Sequence, residues 1–243
     1  LRCLYPVGMT ASTSFDVIVI GLGVMGASAA RELARRGKRV LALDRFDAPN
    51  AMGSSHGRTR IFRVAYFEHP DYVPLLRRAR DAWLALNHEA HDQVFHPSGA
   101  IWLGRADGPL VGGSRRAAIE HGLDHEMLSR ADVLERWPQF NVEDRFVGFF
   151  EEDAGTLFPE RCIRALIALA MKDGASIHAT EGAKRWTSDG AGVTVETSRA
   201  TYRAESLVIA AGAWTASLAP DLGVRLVVSR QPVAWFQEVD ARR

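Results

Sequence analysis

One stretch, Phe15 to Asp44, constrains the fold more than any other part of the chain. It begins with a continuous apolar run, Val17 to Ile20, which is typical of a parallel strand buried on both faces. Gly21, Gly23 and Gly26 follow directly in the spacing G-x-G-x-x-G. In this context the first glycine allows a tight turn, the second lets the backbone approach a pyrophosphate, and the third lets a helix pack on the strand. The stretch therefore predicts the ADP half of a dinucleotide site, with the anion at a helix N-terminus.

The rest of this stretch predicts the helix and the second strand that such a site needs. Small apolar side chains recur on one helical face: Ala27, Ala30, Leu33 and Ala34. Gly37 is placed to end that helix. The apolar run Val40 to Leu43 predicts the second strand, and Asp44 closes it. A carboxylate there would accept hydrogen bonds from both ribose hydroxyls of an adenosine, which argues against a 2′-phosphate.

Composition limits the class of protein. A chain of 243 residues with 47% hydrophobic and 24% charged residues has the ordinary composition of one large or two modest globular domains. A net charge of +1 gives no electrostatic reason to expect nucleic acid or a membrane as partner. Two cysteines, Cys3 and Cys162, form neither a disulfide framework nor a metal-ligand spacing, so we expect a cytoplasmic location and no metal. Leu1 to Gly8 is interpreted as an upstream extension outside the fold.

Periodicity predicts the remaining elements. Helices are predicted over Asp71 to Leu86, Ser114 to His121, Arg130 to Trp137 and Pro159 to Lys172. Strands are predicted at Phe95, Gly99 to Leu103, Phe146 to Phe150, Ala175 to Ala179, a hairpin of Val193 to Thr197 with Tyr202 to Ala204, an apolar strand from Ser206 toward Gly212, and an unpaired run from Val224 to Phe236. Cys162 falls on the apolar face of its helix, where we expect a packed small side chain and no nucleophile.

The segment after Asp44 lacks either period and is rich in turn-forming residues up to Gly57, which predicts a loop. It leads into Arg58 to Tyr66, which carries three arginines in six residues. Taken alone, such a segment is best interpreted as a solvated basic turn. Loops of this kind carry functional sites more often than structure, so a binding role stays open.

Four segments together carry a resemblance to a known family. They are Gly21 to Gly26 with Asp44-Arg45, Gly53 to Tyr66, Ala210 to Trp214, and Arg230 to Val233. With them the chain resembles the monomeric sarcosine oxidase and N-methyl-tryptophan oxidase family, within the D-amino-acid-oxidase-like FAD-dependent oxidoreductases. The resemblance extends from about Phe15 to Phe236, and Gly53 to Tyr66 is its most specific part.

The resemblance implies an oxidoreductase with FAD as cofactor and a small amino acid and O2 as its partners. The substrate would be a secondary amino acid, N-methylated or cyclic, such as sarcosine, oxidised to an imine while O2 becomes hydrogen peroxide. The implied fold class is α/β, a Rossmann-type FAD-binding domain interleaved with an α+β substrate domain and incomplete at the C-terminus. We expect the FAD-binding domain over 15–75 and 156–215, and the substrate domain over 76–155 and from 216 to 243.

The resemblance also assigns roles to residues. His56 and Arg60 would lie beside the isoalloxazine ring as catalytic residues, while Arg63 would bind the substrate carboxylate, with Tyr66 also at the substrate. A positive Arg60 would favour the anionic reduced flavin, and Arg63 offers a planar fork to a carboxylate. The implied cofactor-binding residues are Gly21, Gly23, Gly26, Asp44, Arg45, Ser54, Ser55, Thr59, Arg60, Ala183, Gly212 and Trp214.

Two features of the sequence keep alternatives open. Arg58 stands where relatives often carry Asp or Gln, and the family's flavin-linking cysteine and oxygen-activating lysine would fall past Arg243, so we interpret the chain as an incomplete protein. One alternative is an NAD-dependent dehydrogenase, which Asp44 alone would favour. The other is a non-catalytic, truncated nucleotide-binding remnant.

Overall fold

A computed structural model describes residues 14–221 and 223–235 of the chain. These residues form two compact units, the first from residues 14–56, 166–221 and 223–229 and the second from residues 57–165 and 230–235. The predicted upstream extension, Leu1 to Gly8, lies outside the described residues. In the described ranges no helix is both long enough and apolar enough to cross a membrane.

The described residues contain both helices and strands. In order they are β1 Ser14–Ile20, α1 Val24–Arg35, β2 Val40–Leu43, β3 Arg60–Phe62, α2 Val73–Ala90, β4 Phe95–His96, β5 Ala100–Gly104, α3 Pro109–His121, β6 Glu126–Leu128, α4 Arg130–Arg136, β7 Val147–Glu151, β8 Gly155–Leu157, α5 Pro159–Lys172, β9 Ser176–His178, β10 Arg185–Ser188, β11 Val193–Glu196, β12 Thr201–Ile209 and α6 Thr215–Leu218. Short 3-10 turns precede α2 and α6, at Pro70–Tyr72 and Gly212–Trp214.

The first unit is built on a six-stranded sheet in the order β10-β11-β12-β1-β2-β9. Its four strands β12, β1, β2 and β9 are parallel, with Val17 opposite Val40 on one side and Ser206 on the other. The hairpin of β10 and β11 extends the sheet in antiparallel pairing. The predicted α/β class with a parallel sheet is confirmed.

Alternation along the central strands decides which face each side chain covers. Ile18 and Ile20 on β1 share one face with Leu41 and Leu43 on β2, and these four join the apolar cluster of the β11 and β12 hairpin. Helix α1 contacts β1, β2 and β12 through its small residues, among them the buried Ala27, Ala30 and Ala34. Small side chains therefore let α1 lie close to the sheet, which places its N-terminus at the end of β1.

The end of α1 is also as predicted. Gly37 has a φ of 76°, a left-handed conformation that glycine adopts without strain. Its amide donates to the Ala34 carbonyl at 2.8 Å, and the Lys38 amide donates to the Leu33 carbonyl at 3.1 Å. This is the reverse turn that commonly ends helices. It returns the chain directly into β2.

The second unit contains two three-stranded sheets, β3-β8-β4 and β5-β7-β6, together with helices α2, α3 and α4. All of their strand pairs are antiparallel. The main core of this unit consists of buried apolar side chains: Phe62, Val64, Ala65, Val73, Phe95, Trp102, Val111, Ala117, Ala118, Leu123 and Phe149. A smaller cluster around Val133 packs α4 on the sheet of β5 to β7.

The predicted helix Ser114 to His121 is too short, because α3 begins at Pro109. Gly112 and Gly113 disfavour a helix in the isolated sequence. A Cβ at Gly113 would lie 2.6 Å from the Phe67 carbonyl oxygen, so packing requires glycine there. Tertiary contact outweighs local propensity at this position.

The predicted break between Tyr202 to Ala204 and the strand beginning at Ser206 is also wrong. Thr201–Ile209 is one strand, β12, which pairs with β11 on one side and with β1 on the other. The polar Glu205 interrupts the apolar run in the sequence, but its side chain is exposed and the backbone pairing continues. Periodicity in the sequence cannot show that one strand pairs with two different neighbours, β11 and β1.

The run Val224 to Phe236 was predicted as an unpaired strand, and this prediction is wrong for its described part. Residues 223–235 contain no strand and are all exposed, while Phe236 lies outside the described residues. High β-propensity reflects a fit to a paired, half-buried surface and not a backbone preference of its own. In the described part of this run, β-propensity alone therefore does not produce a strand.

The basic segment Arg58 to Tyr66 was interpreted as a turn from the residues alone, but it contains a strand, β3, which pairs with β8. Three further strands, β6, β8 and β10, were not predicted. All four are three or four residues long. Such short strands hold too few residues for a period of two to stand out.

Candidate functional site

The turn between β1 and α1 is built from close contacts that leave no room for a side chain at its first and third glycines. Gly21 has a φ of 101°, and a Cβ there would collide with the Ala210 carbonyl at the end of β12. A Cβ at Gly26 would collide with the Gly21 carbonyl oxygen and lie 3.3 Å from the Ala210 Cβ. These two glycines therefore make the tight turn and the close packing of α1 that the motif requires.

The second glycine faces a more open space. A Cβ at Gly23 would meet only the side chain of Ser55, with the hydroxyl at 3.4 Å. The same Ser55 hydroxyl accepts a hydrogen bond from the Val24 amide at 3.2 Å, at the first residue of α1. No acidic side chain lies in the first turn of this helix. A helix N-terminus with a polar hydroxyl, no acidic residue in its first turn and a glycine that meets only Ser55 fits a pyrophosphate.

Asp44 joins the glycine turn to the end of β2. One of its carboxylate oxygens accepts from the Leu22 amide at 2.6 Å and the other from the Phe46 amide at 2.8 Å. The carboxylate is partly exposed, and each oxygen carries a second lone pair. Asp44 can therefore hold the turn and accept from ribose hydroxyls at the same time.

The chain after β9 lies beside Asp44. The Glu181 amide donates to the Asp44 carbonyl at 2.7 Å, and the Thr180 amide donates to the Phe46 carbonyl at 3.0 Å. Thr180 has a positive φ of 56°, a conformation that costs energy in a β-branched residue. These bonds bring Ala183, the residue assigned to the adenine, to the same end of the sheet as Asp44.

A buried carboxylate that no sequence pattern singled out holds this segment. Glu181 is 2% exposed. One of its oxygens accepts from the Thr197 hydroxyl at 2.6 Å and the Tyr202 hydroxyl at 2.9 Å, and His178 Nδ1 lies 3.1 Å from the other oxygen. Burial alone would raise the pKa of Glu181, but these donors outweigh burial and the pKa lies below its usual value. A glutamate in a turn is usually exposed, so its burial is a tertiary feature.

We expect Glu181→Gln to destabilise the fold by about 1–3 kcal/mol at neutral pH, since a charged acceptor loses its donors. Because the folded pKa of Glu181 is lowered, its stabilisation is present above the unfolded pKa and disappears as pH falls through the folded value. The difference in unfolding free energy between wild type and variant should therefore shrink in acid, as measured by urea unfolding from pH 7 to pH 3.

The control for this prediction is Glu205→Gln, at an exposed site on β12, which should change stability by less than about 0.5 kcal/mol. A pH-independent difference for Glu181→Gln would contradict the ionic role.

Other assigned residues of the first unit lie on the loops beside this sheet edge. His56 Nδ1 donates to the Gly53 carbonyl at 2.6 Å, which fixes the ring and its tautomer. Trp214 lies 5.6 Å from the Phe46 ring, centroid to centroid, and the Arg45 guanidinium lies 5.6 Å from the centroid of the same ring. Ser54 neighbours Ser55 on the same loop, and Gly212 has a φ of 52° in the 3-10 turn that follows β12.

The assigned residues of the second unit begin at Thr59. Its hydroxyl accepts from the Trp235 indole at 3.2 Å, and its carbonyl accepts from Arg60 at 2.8 Å. The nearby Gly57 amide donates to Glu160 on α5 at 3.1 Å. The residues just before β3 are thus held by side-chain hydrogen bonds with Glu160 and Trp235.

Arg63 directly follows β3 and lies against aromatic rings. Its guanidinium carbon is 4.5 Å from the centroid of the Tyr66 ring and 4.8 Å from that of Phe67. One nitrogen donates to the Glu68 carboxylate at 2.8 Å. The guanidinium is therefore oriented by stacking, and it already binds a carboxylate.

Cys162 is 1% exposed on α5, and its thiol donates to the Val94 carbonyl at 3.5 Å. Burial raises its pKa to about 12. A thiol that stays protonated at neutral pH is a poor nucleophile. The prediction that Cys162 is a packed small side chain is confirmed.

Comparison with known proteins gives a consistent family assignment. The model of the FAD dependent oxidoreductase family matches residues 16–238. The monomeric sarcosine oxidase of Streptomyces avermitilis is 42% identical over 226 residues, which cover 93% of this chain and 59% of that protein. The N-methyl-L-tryptophan oxidase of Citrobacter koseri is 38% identical over 223 residues, covering 92% of this chain and 59% of that protein. The chain thus spans about 59% of the length of these relatives.

Solved structures show the same likeness. NikD, an amino acid oxidase essential for nikkomycin biosynthesis, superposes with a TM-score of 0.77 at 31% identity, covering 88% of this chain and 55% of that one. Glycine oxidase from Geobacillus kaustophilus superposes with a TM-score of 0.75 at 24% identity, covering 88% of this chain and 59% of that one, and supports the fold alone.

Proposed function

Because the chain belongs to the FAD dependent oxidoreductase family, we propose that the full-length protein oxidises a secondary amino acid, N-methylated or cyclic, such as sarcosine, to an imine. FAD is the cofactor of this family, so the family assignment supports the predicted cofactor and disfavours the NAD-dependent alternative. The observation that carries the proposal is Arg63, whose stacked guanidinium already binds a carboxylate.

The residues of the first unit would hold the nucleotide. The turn at Gly21, Gly23 and Gly26 and the N-terminus of α1 would bind the pyrophosphate, with the Ser55 hydroxyl beside it. Asp44 would accept from the ribose hydroxyls. The backbone near Ala183 would meet the adenine. Arg45, Ser54, Gly212 and Trp214 are proposed as further cofactor contacts on the same loops.

When bound, FAD would supply the redox chemistry: acceptance of a hydride equivalent from the carbon next to the amine nitrogen, and return of the two electrons to O2 to give hydrogen peroxide. The protein's own residues would bind and orient the amino acid. Arg63 would hold its carboxylate, with Tyr66 flanking the guanidinium. Glu68 occupies one nitrogen of that guanidinium, so a substrate carboxylate would use the remaining N–H groups or replace Glu68.

His56 and Arg60 are proposed to face the isoalloxazine, and Thr59 is proposed as a further cofactor contact. His56 Nδ1 is bonded to a carbonyl, so its Nε2 would be an acceptor unless the ring is protonated. Arg60 would contribute positive charge that favours the anionic reduced state. We further propose that residues 15–75 and 156–215 belong to the FAD-binding domain, that residues 76–155 and 216–243 belong to the substrate domain, and that the protein is cytoplasmic, as its sparse cysteines suggest.

The proposal is tested with purified full-length protein. We expect flavin absorption bands, and one hydrogen peroxide released for each sarcosine, N-methyltryptophan or proline molecule oxidised, measured with a coupled peroxidase. A primary amino acid such as alanine is the control and should react far more slowly. Bound FAD without peroxide from any secondary amino acid would support the non-catalytic alternative, whereas NAD reduction without flavin would support a dehydrogenase.

A further inference from the structure

A second buried carboxylate lies next to the arginine on which the proposed function depends. Glu151, the last residue of β7, is 1% exposed. One of its oxygens accepts from the Ala65 amide at 2.8 Å and the other from the Val64 amide at 3.3 Å. These two residues directly follow Arg63 in the chain.

Residues 63–66 have no regular secondary structure of their own. Val64 and Ala65 are fully buried, so their amides need acceptors within the protein. Glu151 supplies both acceptors with one side chain. The direction of the backbone just after Arg63 therefore depends on this carboxylate.

Glu151 is itself held on a rigid support. It is the last residue of β7, the central strand of the three-stranded sheet, and it pairs with Ala100 on β5. The turn that follows is attached to α2, because Arg80 pairs with the Asp153 carboxylate at 2.9 Å and donates to its carbonyl at 3.2 Å. A fixed acceptor of this kind can define the position of an irregular segment.

The geometry of the two bonds shows why an amide side chain would not be equivalent. Two neighbouring backbone amides each need an acceptor oxygen, and a carboxylate offers two such oxygens where an amide side chain offers one. Burial raises the pKa of Glu151 overall, although the bonds from the Ala65 and Val64 amides act in the opposite direction.

We propose that Glu151 is a positioning residue for the carboxylate clamp, and that its bonds to the Val64 and Ala65 amides hold Arg63 and Tyr66 in the arrangement that binds a substrate carboxylate. The inference rests on the proposed function, because it takes Arg63 as the group that binds the substrate. Glu151 touches neither substrate nor cofactor in this role. It acts through the backbone of the segment that it anchors.

The test uses Glu151→Gln in the full-length holoenzyme. Glutamine has the same shape, but its amide group presents a donor to one of the two backbone amides, so one bond is lost. We expect the KM for sarcosine to rise about tenfold, which corresponds to ~1.4 kcal/mol, with kcat changed by less than about twofold. The dissociation constant of propanoate, a carboxylate without an amine, should rise by a similar factor when followed through flavin absorption. Glu152→Gln, at the adjacent exposed residue, is the matched control and should change neither quantity.

Two further variants separate the possible outcomes. Arg63→Ala should weaken propanoate binding by roughly one and a half to three and a half decades, and if binding is unchanged, the clamp of the proposed function fails. If Arg63→Ala weakens propanoate binding while Glu151→Gln leaves it unchanged, only the role of Glu151 is overturned. Glu151→Asp keeps the charge and should recover part of the affinity, and it replaces Glu151→Gln should that variant not fold. Equal losses with sarcosine and with a secondary amine that lacks a carboxylate would make Glu151 merely structural and overturn the inference.

Discussion

Arg63→Ala should lower kcat/KM for carboxylated secondary amines by roughly one and a half to three and a half decades in the full-length enzyme. The reason is that removing one side of a desolvated charge pair costs about 2–5 kcal/mol, at about 1.4 kcal/mol per decade. The stacking of the guanidinium on Tyr66 and Phe67 makes this arginine a fixed partner and not a mobile one. The measurement is steady-state peroxide formation with sarcosine at matched flavin content.

Two comparisons make this result specific to the clamp. Arg63→Lys should recover only part of the loss, since an ammonium keeps the charge but not the planar fork. Wild type should oxidise a secondary amine without a carboxylate slowly, and Arg63→Ala should hardly change that rate. Should both kinds of substrate lose activity equally while flavin content stays full, Arg63 would have a structural role or act on the flavin.

Asp44→Ala should raise the dissociation constant of FAD by about two to four decades. Two charge-assisted hydrogen bonds to ribose hydroxyls are worth about 1.5–3 kcal/mol each. The same substitution also removes the acceptor of the Leu22 and Phe46 amides, so the glycine turn itself should loosen. Titration of apoprotein with FAD, followed by quenching of flavin fluorescence, measures the effect.

The matched control is Asp47→Ala, three residues further along the same loop and exposed. It should bind FAD within about twofold of wild type, as expected for surface substitutions. Asp44→Asn should fall between Asp44→Ala and wild type, because its amide retains one acceptor oxygen. If apo Asp44→Ala took up FAD as tightly as wild type, Asp44 would be a cap of the glycine turn and no ribose ligand.

The nucleotide turn could be predicted from the sequence more fully than the segment around Arg63. The nucleotide turn was predictable because its requirements are local: Gly21 and Gly26 are fixed by contacts with their own strand and with the end of β12. The segment around Arg63 could be assigned only through resemblance. From residue types alone its arginines predicted a solvated turn, and neither the strand β3 nor the stacking of Arg63 on Tyr66 follows from periodicity.

By itself the sequence determined β1, α1 and β2, the cap at Gly37, the position of Asp44 and the family. These features depend on neighbours in the chain, where spacing and apolar periodicity are physically sufficient. Only the tertiary structure decided that Glu151 and Glu181 are buried acceptors, that Gly113 lies in a helix, and that the described part of the run from Val224 forms no strand. A carboxylate is buried, and a strand is formed, only when distant segments supply hydrogen-bond partners, and those partners are absent from any local pattern.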